Sequence, residues 1–385
     1  MKGEFGGSQL KSAVSSKGKS TSGGFLVGVI FFLASFPLLF WNEGSAVKTA
    51  KALEEGQGIV VSLPAPGVDP ANEGKLIHFL GQAMTEEQLK DSYTGIQVHG
   101  IRLKRMAQMF QWKENKEEKD KKIEYYYEKV WSESPINSSG FFNKSYTNPS
   151  SMPVSSEVFQ ASRVAVGEFE LSPVLIAAIS GAQPYPVTEP MYAQMPEALR
   201  NGARLAGGEL YLGVSPENPQ IGDIKISYIL YPEQEVSVVA KQQGSHVIGY
   251  TTSNGRTLEI LYTGVRSADQ IFAAEQRANT IFTWVVRGGG VLMMYIGLML
   301  TVGQVARLFS WIPLLGGMVE SGIAIMAGLL ALSLSFVVIS VGWIFYRPVV
   351  GVGLLAVGIV FGVLLFKKAG GSAASSGDDV PPIPK

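Results

Sequence analysis

The chain has no cysteine and only three histidines, His78, His99 and His246, in 385 residues. The first absence excludes disulfides, thiolate zinc sites and cysteine nucleophiles. It leaves the redox compartment open, because an oxidising compartment permits disulfides without requiring them. The histidines fall in separate extended segments with no metal-ligand spacing, so no metal or cofactor is expected. Lys+Arg and Asp+Glu both number 32, and this balance gives no electrostatic reason for a nucleic-acid partner. There is no HExxH, no GxxxxGK[ST] and no GxSxG, which removes the familiar signatures of zinc hydrolysis, phosphate cradling and a nucleophile elbow. Acidic residues are plentiful, but no pair stands out, so no catalytic residue is assigned and no enzyme is expected.

What the chain does have is four apolar stretches, one near the start and three near the end: Phe25–Trp41, Gly288–Ala306, Ser321–Tyr346 and Pro348–Phe366. A spanning helix needs roughly 20 apolar residues, about 17 at the least. Pro37 in the first would cost about 3 kcal/mol in a soluble helix but is better tolerated in lipid. A cleaved signal peptide is the competing reading of that stretch, behind Lys2, Lys11, Lys17 and Lys19. Its length and the lack of a clean small-residue site beyond Gly44-Ser45-Ala46 favour a retained anchor. The expected order is a cytoplasmic tail (1–22), a span (23–41), a large domain (42–287), a span (288–306), an interfacial connection (307–320), two spans (321–346 and 348–366) and a second tail (367–385).

Basic residues near the first span, and Lys367 and Lys368 after the last, put both tails in the cytoplasm and 42–287 outside it. Arg287, Arg307, Glu320 and Arg347 all stand at span ends. Snorkelling to the interface accounts for them, with an ion pathway as the alternative. The glycines at Gly288–Gly290, Gly316–Gly317, Gly351, Gly353, Gly358 and Gly362 lie in or beside membrane segments, where small residues let helices approach closely.

The intervening domain reads as α+β, mainly antiparallel sheet. Ser45–Gly56 is Ala/Lys/Glu-rich and predicts a helix prolonging the first span and stopped at Gly56. Ile96–Trp112 and Ile123–Trp131 predict two strands, with the charged Lys113–Lys122 as a solvated hairpin tip. Asp223–Leu230, Glu235–Gln242 and His246–Tyr250 predict a meander, and Asn254-Gly255 a hairpin turn. Leu171–Gly208 reads as more helical. Ser267-Ala-Asp-Gln270 is a capping-box pattern opening a helix that runs into the second span at Arg287. Asn137-Ser-Ser and Asn143-Lys-Ser are glycosylation sequons, relevant only in a eukaryotic host.

Several local motifs together carry a resemblance: Asn42-Glu43-Gly44, Asn72-Glu73-Gly74, Ile101–Arg105 with Met109–Trp112, Asn148-Pro149, Asn218-Pro219, Thr283-Trp284 with Arg287, and Gly342–Pro348. In this order they resemble LUMA, the transmembrane protein 43 family, over nearly the whole chain. The resemblance marks Asn42, Glu43, Gly44, Asn72, Glu73, Gly74, Trp112, Trp284, Arg287, Tyr346, Arg347 and Pro348 as motif residues with a structural role. It implies one span, a lumenal or periplasmic domain and three further spans. For eukaryotic members it implies the endoplasmic reticulum and inner nuclear membrane, self-association, and lamin- and emerin-type partners. The short N-terminal tail and the ending Asp378–Lys385 favour a bacterial member in an inner membrane, which puts nuclear-envelope partners in doubt. The function expected is a scaffold that organises membrane protein complexes as a homo-oligomer in contact with lipid and other membrane proteins. A channel or transport component is the alternative, and an envelope enzyme acting on lipid or peptide a further one.

Overall fold

The computed structural model describes residues 12–15, 22–119, 122–308, 319–350 and 353. Most of the interfacial connection, most of the fourth apolar stretch, nearly all of both tails, and Gly316, Gly317, Gly351, Gly358 and Gly362 lie outside the described residues, as do the side chains of Arg307 and Glu320. The chain divides into two compact units: one of residues 1–18, 56–252 and 257–271, the other of residues 19–55, 253–256 and 272–385.

The first unit is α+β and rich in antiparallel sheet. Its larger sheet is built on Arg102–Lys119. On one edge this strand pairs with Ile224–Tyr231, which leads on to Glu209–Leu212 and Ala203–Ala206. On its other edge it pairs first with Glu157–Gln160 and then with Lys122–Ser132, and Ser12–Ser15 pairs with the latter. From Ile101 to Gln111 every second residue is buried, the period expected of a half-buried strand. The second sheet centres on Leu76–Met84 against Gln234–Gln243. One apolar cluster takes Ile77, Phe79, Val236 and Val238 from the second sheet and Leu103, Met109, Ile224 and Ile226 from the first.

Three local expectations are revised. The charged run 113–122 is not a loose tip, because the two strands stay paired to Lys119 opposite Lys122. Cross-strand polar contacts hold it: Lys113 to Glu128 at 3.3 Å, Tyr127 Oη donating to Glu114 at 2.6 Å, and Tyr126 Oη donating to Glu117 at 2.9 Å. Leu171–Gly208 contains only short helices, Pro173–Ala178, Glu189–Ala193 and Glu197–Gly202. The first is capped at its start by Ser172 Oγ, and at its end by Arg102 Nη2 donating to the Ile176 and Ala177 carbonyls, each at 3.0 Å. The helix expected to end at Gly56 runs on to Ile59, with the Val60 amide still donating to the Gly56 carbonyl. Gly56 is not among the glycines with positive φ, so it never takes up the left-handed stop that a C-cap requires.

Three long helices, α1 (Ser22–Ile59), α2 (Ala268–Leu308) and α3 (Val319–Tyr346), supply the second unit. Among the described residues these three are long and apolar enough to cross a membrane. The predicted capping box is present at the α2 start: the Ser267 amide donates to Gln270 Oε1 at 3.0 Å and the Gln270 amide to Ser267 Oγ at 3.3 Å. Helix packing in this unit reverses the pattern of a soluble bundle. Leu26, Phe282, Leu292, Met326 and Phe336 face outward, while the small residues Ala327 and Ala331 sit inside with Leu39 and Met294. Glycines allow the contact: a Cβ at Gly297 would lie 2.5 Å from the Phe32 amide nitrogen, and one at Gly28 2.8 Å from Leu300 Cβ.

Candidate functional site

A polar constellation of the second unit sits at the ends of the apolar runs. Glu43, one residue past Asn42 on α1, is only 2% exposed. Arg287 of α2 clamps it from both sides of the carboxylate, Nε to Oε1 at 2.7 Å and Nη2 to Oε2 at 2.8 Å. Trp343 of α3 donates its indole N–H to the same Oε2 at 2.7 Å. One carboxylate therefore binds all three helices. The bidentate fork suits arginine and would be lost with lysine. Trp284 and Trp343 also lie under the guanidinium, 4.7 Å and 5.6 Å from its carbon.

The neighbours complete the join. Asn42 is buried and donates to the Thr283 carbonyl at 3.2 Å. Gly44 leaves room for Tyr346, since a Cβ there would lie 2.5 Å from its ring. Gly342 likewise lets α3 approach Glu43. Phe40 meets the rings of Phe345 and Tyr346 at 5.9 Å and 5.5 Å. Of the motif residues, Asn42, Glu43, Gly44, Trp284, Arg287 and Tyr346 are thus brought together. Arg287 does not snorkel as the sequence reading had it; it turns inward onto a partner 244 positions away. Arg347 is exposed, makes no ion pair among the described residues, and with Pro348 follows the end of α3.

The other motif residues serve the first unit. Asn72-Glu73-Gly74 forms a turn in which Gly74 adopts φ +75° and Glu73 accepts from the Gly244 amide at 2.9 Å. Trp112 exchanges main-chain hydrogen bonds with the Asn148 side chain, at 2.7 Å and 2.8 Å, and packs edge-on to Tyr146. The sequence reading missed a second buried ionic group here. Asp91 and Arg105 pair at full burial, and Asp91 also accepts from Tyr228 Oη at 2.5 Å and Thr94 Oγ1 at 3.0 Å. Burial pushes the Asp91 carboxyl up, but the hydrogen bonds from Tyr228, Arg105 and the Tyr93 amide outweigh it and hold it below its ordinary value. An arginine at a buried position of an alternating strand was the available signal.

His78 is buried between Ser62 Oγ, 3.3 Å from Nδ1, and the Arg266 carbonyl, 2.9 Å from Nε2. Burial lowers its pKa against the opposing pull of that carbonyl. Main-chain oxygen, not a carboxylate, lies at its Nε2. Among the described residues no group of three His, Asp or Glu side chains converges on a metal position.

The family described as Transmembrane protein 43 matches residues 109–348. Transmembrane protein 43 of Rattus norvegicus is 34% identical over 348 residues, covering 85% of this chain and 86% of that protein. The Homo sapiens protein is 33% identical over the same shares, and the Drosophila melanogaster homologue is 30% identical over 86% of this chain and 91% of its own. No solved structure matches. Matched across both its sheet-rich unit and its helices, the chain belongs to the transmembrane protein 43 family.

Proposed function

We propose that this membrane protein organises complexes in the bilayer by associating with copies of itself, with both tails on one side and 42–287 on the other. One observation carries the reading. Among the described residues nothing lies within 4 Å of a Cβ placed on Gly288 or Gly289 of α2, whereas one on Gly290, next in the chain, would lie 2.5 Å from Leu39. The open pair lies among exposed Phe282, Val285 and Leu292. A small-residue notch in an apolar helix face suits close approach of another helix, where van der Waals packing drives association in lipid. The Glu43–Arg287–Trp343 lock supports a mechanical role: its charges are spent on joining helices rather than on an ion path.

The absence of cysteine makes the test clean. Leu292→Cys, facing outward, is expected to form a covalent dimer on oxidation in native membranes. Met294→Cys, on the buried face, is not. Lack of any crosslink at Leu292, together with a monomer in nanodiscs, would sink self-association.

A further inference from the structure

A cavity of about 300 Å³ opens within the second unit, next to the Glu43–Arg287–Trp343 join. Trp41, Ser45 and Lys48 line it from α1, Asn254 and Arg256 from the 253–256 segment, and Tyr346 from the end of α3. Its depth follows from the chain. Trp41 closes the apolar run of α1 and Tyr346 that of α3, and amphipathic rings at the ends of apolar spans sit at headgroup level. Its charge is one-signed: two cations line it and no Asp or Glu does. On α1, Glu43 is held by Arg287 and Trp343, and Glu55 accepts from the Ser253 amide at 3.0 Å.

The wall is also built. Asn254 Nδ2 donates to the Lys48 carbonyl at 2.7 Å and Arg256 Nη2 to Ser45 Oγ at 2.7 Å, which holds the segment against α1. Lys48 is exposed and makes no ion pair among the described residues. Gly44 and Tyr346 meet where any side chain at 44 would collide with the ring, so this aromatic part of the lining is close-packed. Ammonium and guanidinium donors in one lining with aromatic rings, at headgroup depth, match a phosphate group carried on an apolar body.

We propose that this cavity binds the phosphate headgroup of an anionic membrane lipid, with Lys48 and Arg256 on the phosphate and Trp41 and Tyr346 against the glycerol and upper acyl region. The full chain is put into nanodiscs of phosphatidylcholine with or without phosphatidic acid, and lipids retained on ejection are counted by native mass spectrometry. Lys48→Gln and Arg256→Gln are each expected to lower phosphatidic acid retention about fivefold, the scale of one cation at a membrane surface. Lys51→Gln, one turn further along α1, is expected to change it little. Equal losses from Lys48→Gln and Lys51→Gln would mean diffuse attraction only and would overturn the site. So would displacement of the lipid by inorganic phosphate or glycerol 3-phosphate at matched concentration, which would make it a soluble-phosphate site. Unchanged thermal unfolding of Lys48→Gln in lipid-free detergent separates loss of binding from loss of fold.

Discussion

Glu43→Ala removes the carboxylate that Arg287 clamps and leaves a guanidinium largely out of water. Breaking one side of a buried pair costs about 3–5 kcal/mol, and chemical denaturation in detergent should show a loss of that size. Adding Arg287→Met is expected to restore part of it, because the stranded charge is gone; full additivity of the two changes would show that the residues do not act as a pair. His78 gives a pH signature. Its folded pKa lies below the ordinary 6.5, chiefly through burial. Its contribution is therefore complete above that value and is lost as pH falls through the lower folded one. Stability of the wild type should decline over this window, and His78→Asn should flatten that part of the profile. The sequence shows Arg287 as one more cation at a span end. Its partner is invisible there, since proximity of Glu43 exists only once α1 and α2 are side by side.

Among the helices, glycine position decides what a substitution does. Gly297→Val would drive a side chain into the Phe32 backbone, which cannot yield as a flexible side chain could. A cost of about 1–3 kcal/mol and separation of α1 from α2 are expected, read as a lowered unfolding temperature and a lost α1–α2 cysteine crosslink. Gly289→Leu meets open space. It should leave the monomer as stable as wild type while reducing the Leu292→Cys dimer; a destabilised monomer would instead mean that this face is already covered within the chain. Both glycines sit in apolar text and look alike as sequence. Only packing separates a filled notch from an empty one. The same holds for the ribbon of Arg102–Lys119 and Lys122–Ser132. Its charge density reads as loop, and cross-strand Tyr–Glu and Lys–Glu contacts turn it into strand.

For the molecule as a whole, the apolar cluster of the first unit, among the described residues, draws on residues from Val61 to Leu261. A core that closes on itself predicts that fragment 56–271 folds alone, with a cooperative thermal transition and resistance to limited proteolysis; a molten, protease-sensitive fragment would refute this. Orientation makes a second prediction at this scale. Pairing of Ser12–Ser15 with Lys122–Ser132 would put the tail beside the sheet, yet an apolar helix of spanning length lies between them. The orientation proposed above puts position 14 and the sheet domain on opposite faces, whereas that pairing puts them on one. Cysteines at positions 14 and 145 should react with an impermeant maleimide from opposite faces.

Apolar length, basic flanks and the serine–glutamine cap are local properties, so the sequence alone determined three of the described helices, where α2 starts, and an antiparallel sheet domain between α1 and α2. The family motifs were legible as residues too, though without a reason for their presence. The tertiary structure supplied that reason at Glu43, Arg287 and Trp343, which join helices through contacts spanning up to 300 positions. It also decided which glycines are filled, and it formed the cationic cavity from Lys48 and Arg256. Each of these depends on distance in space between residues far apart in the chain, and periodicity along the chain carries no information about that distance.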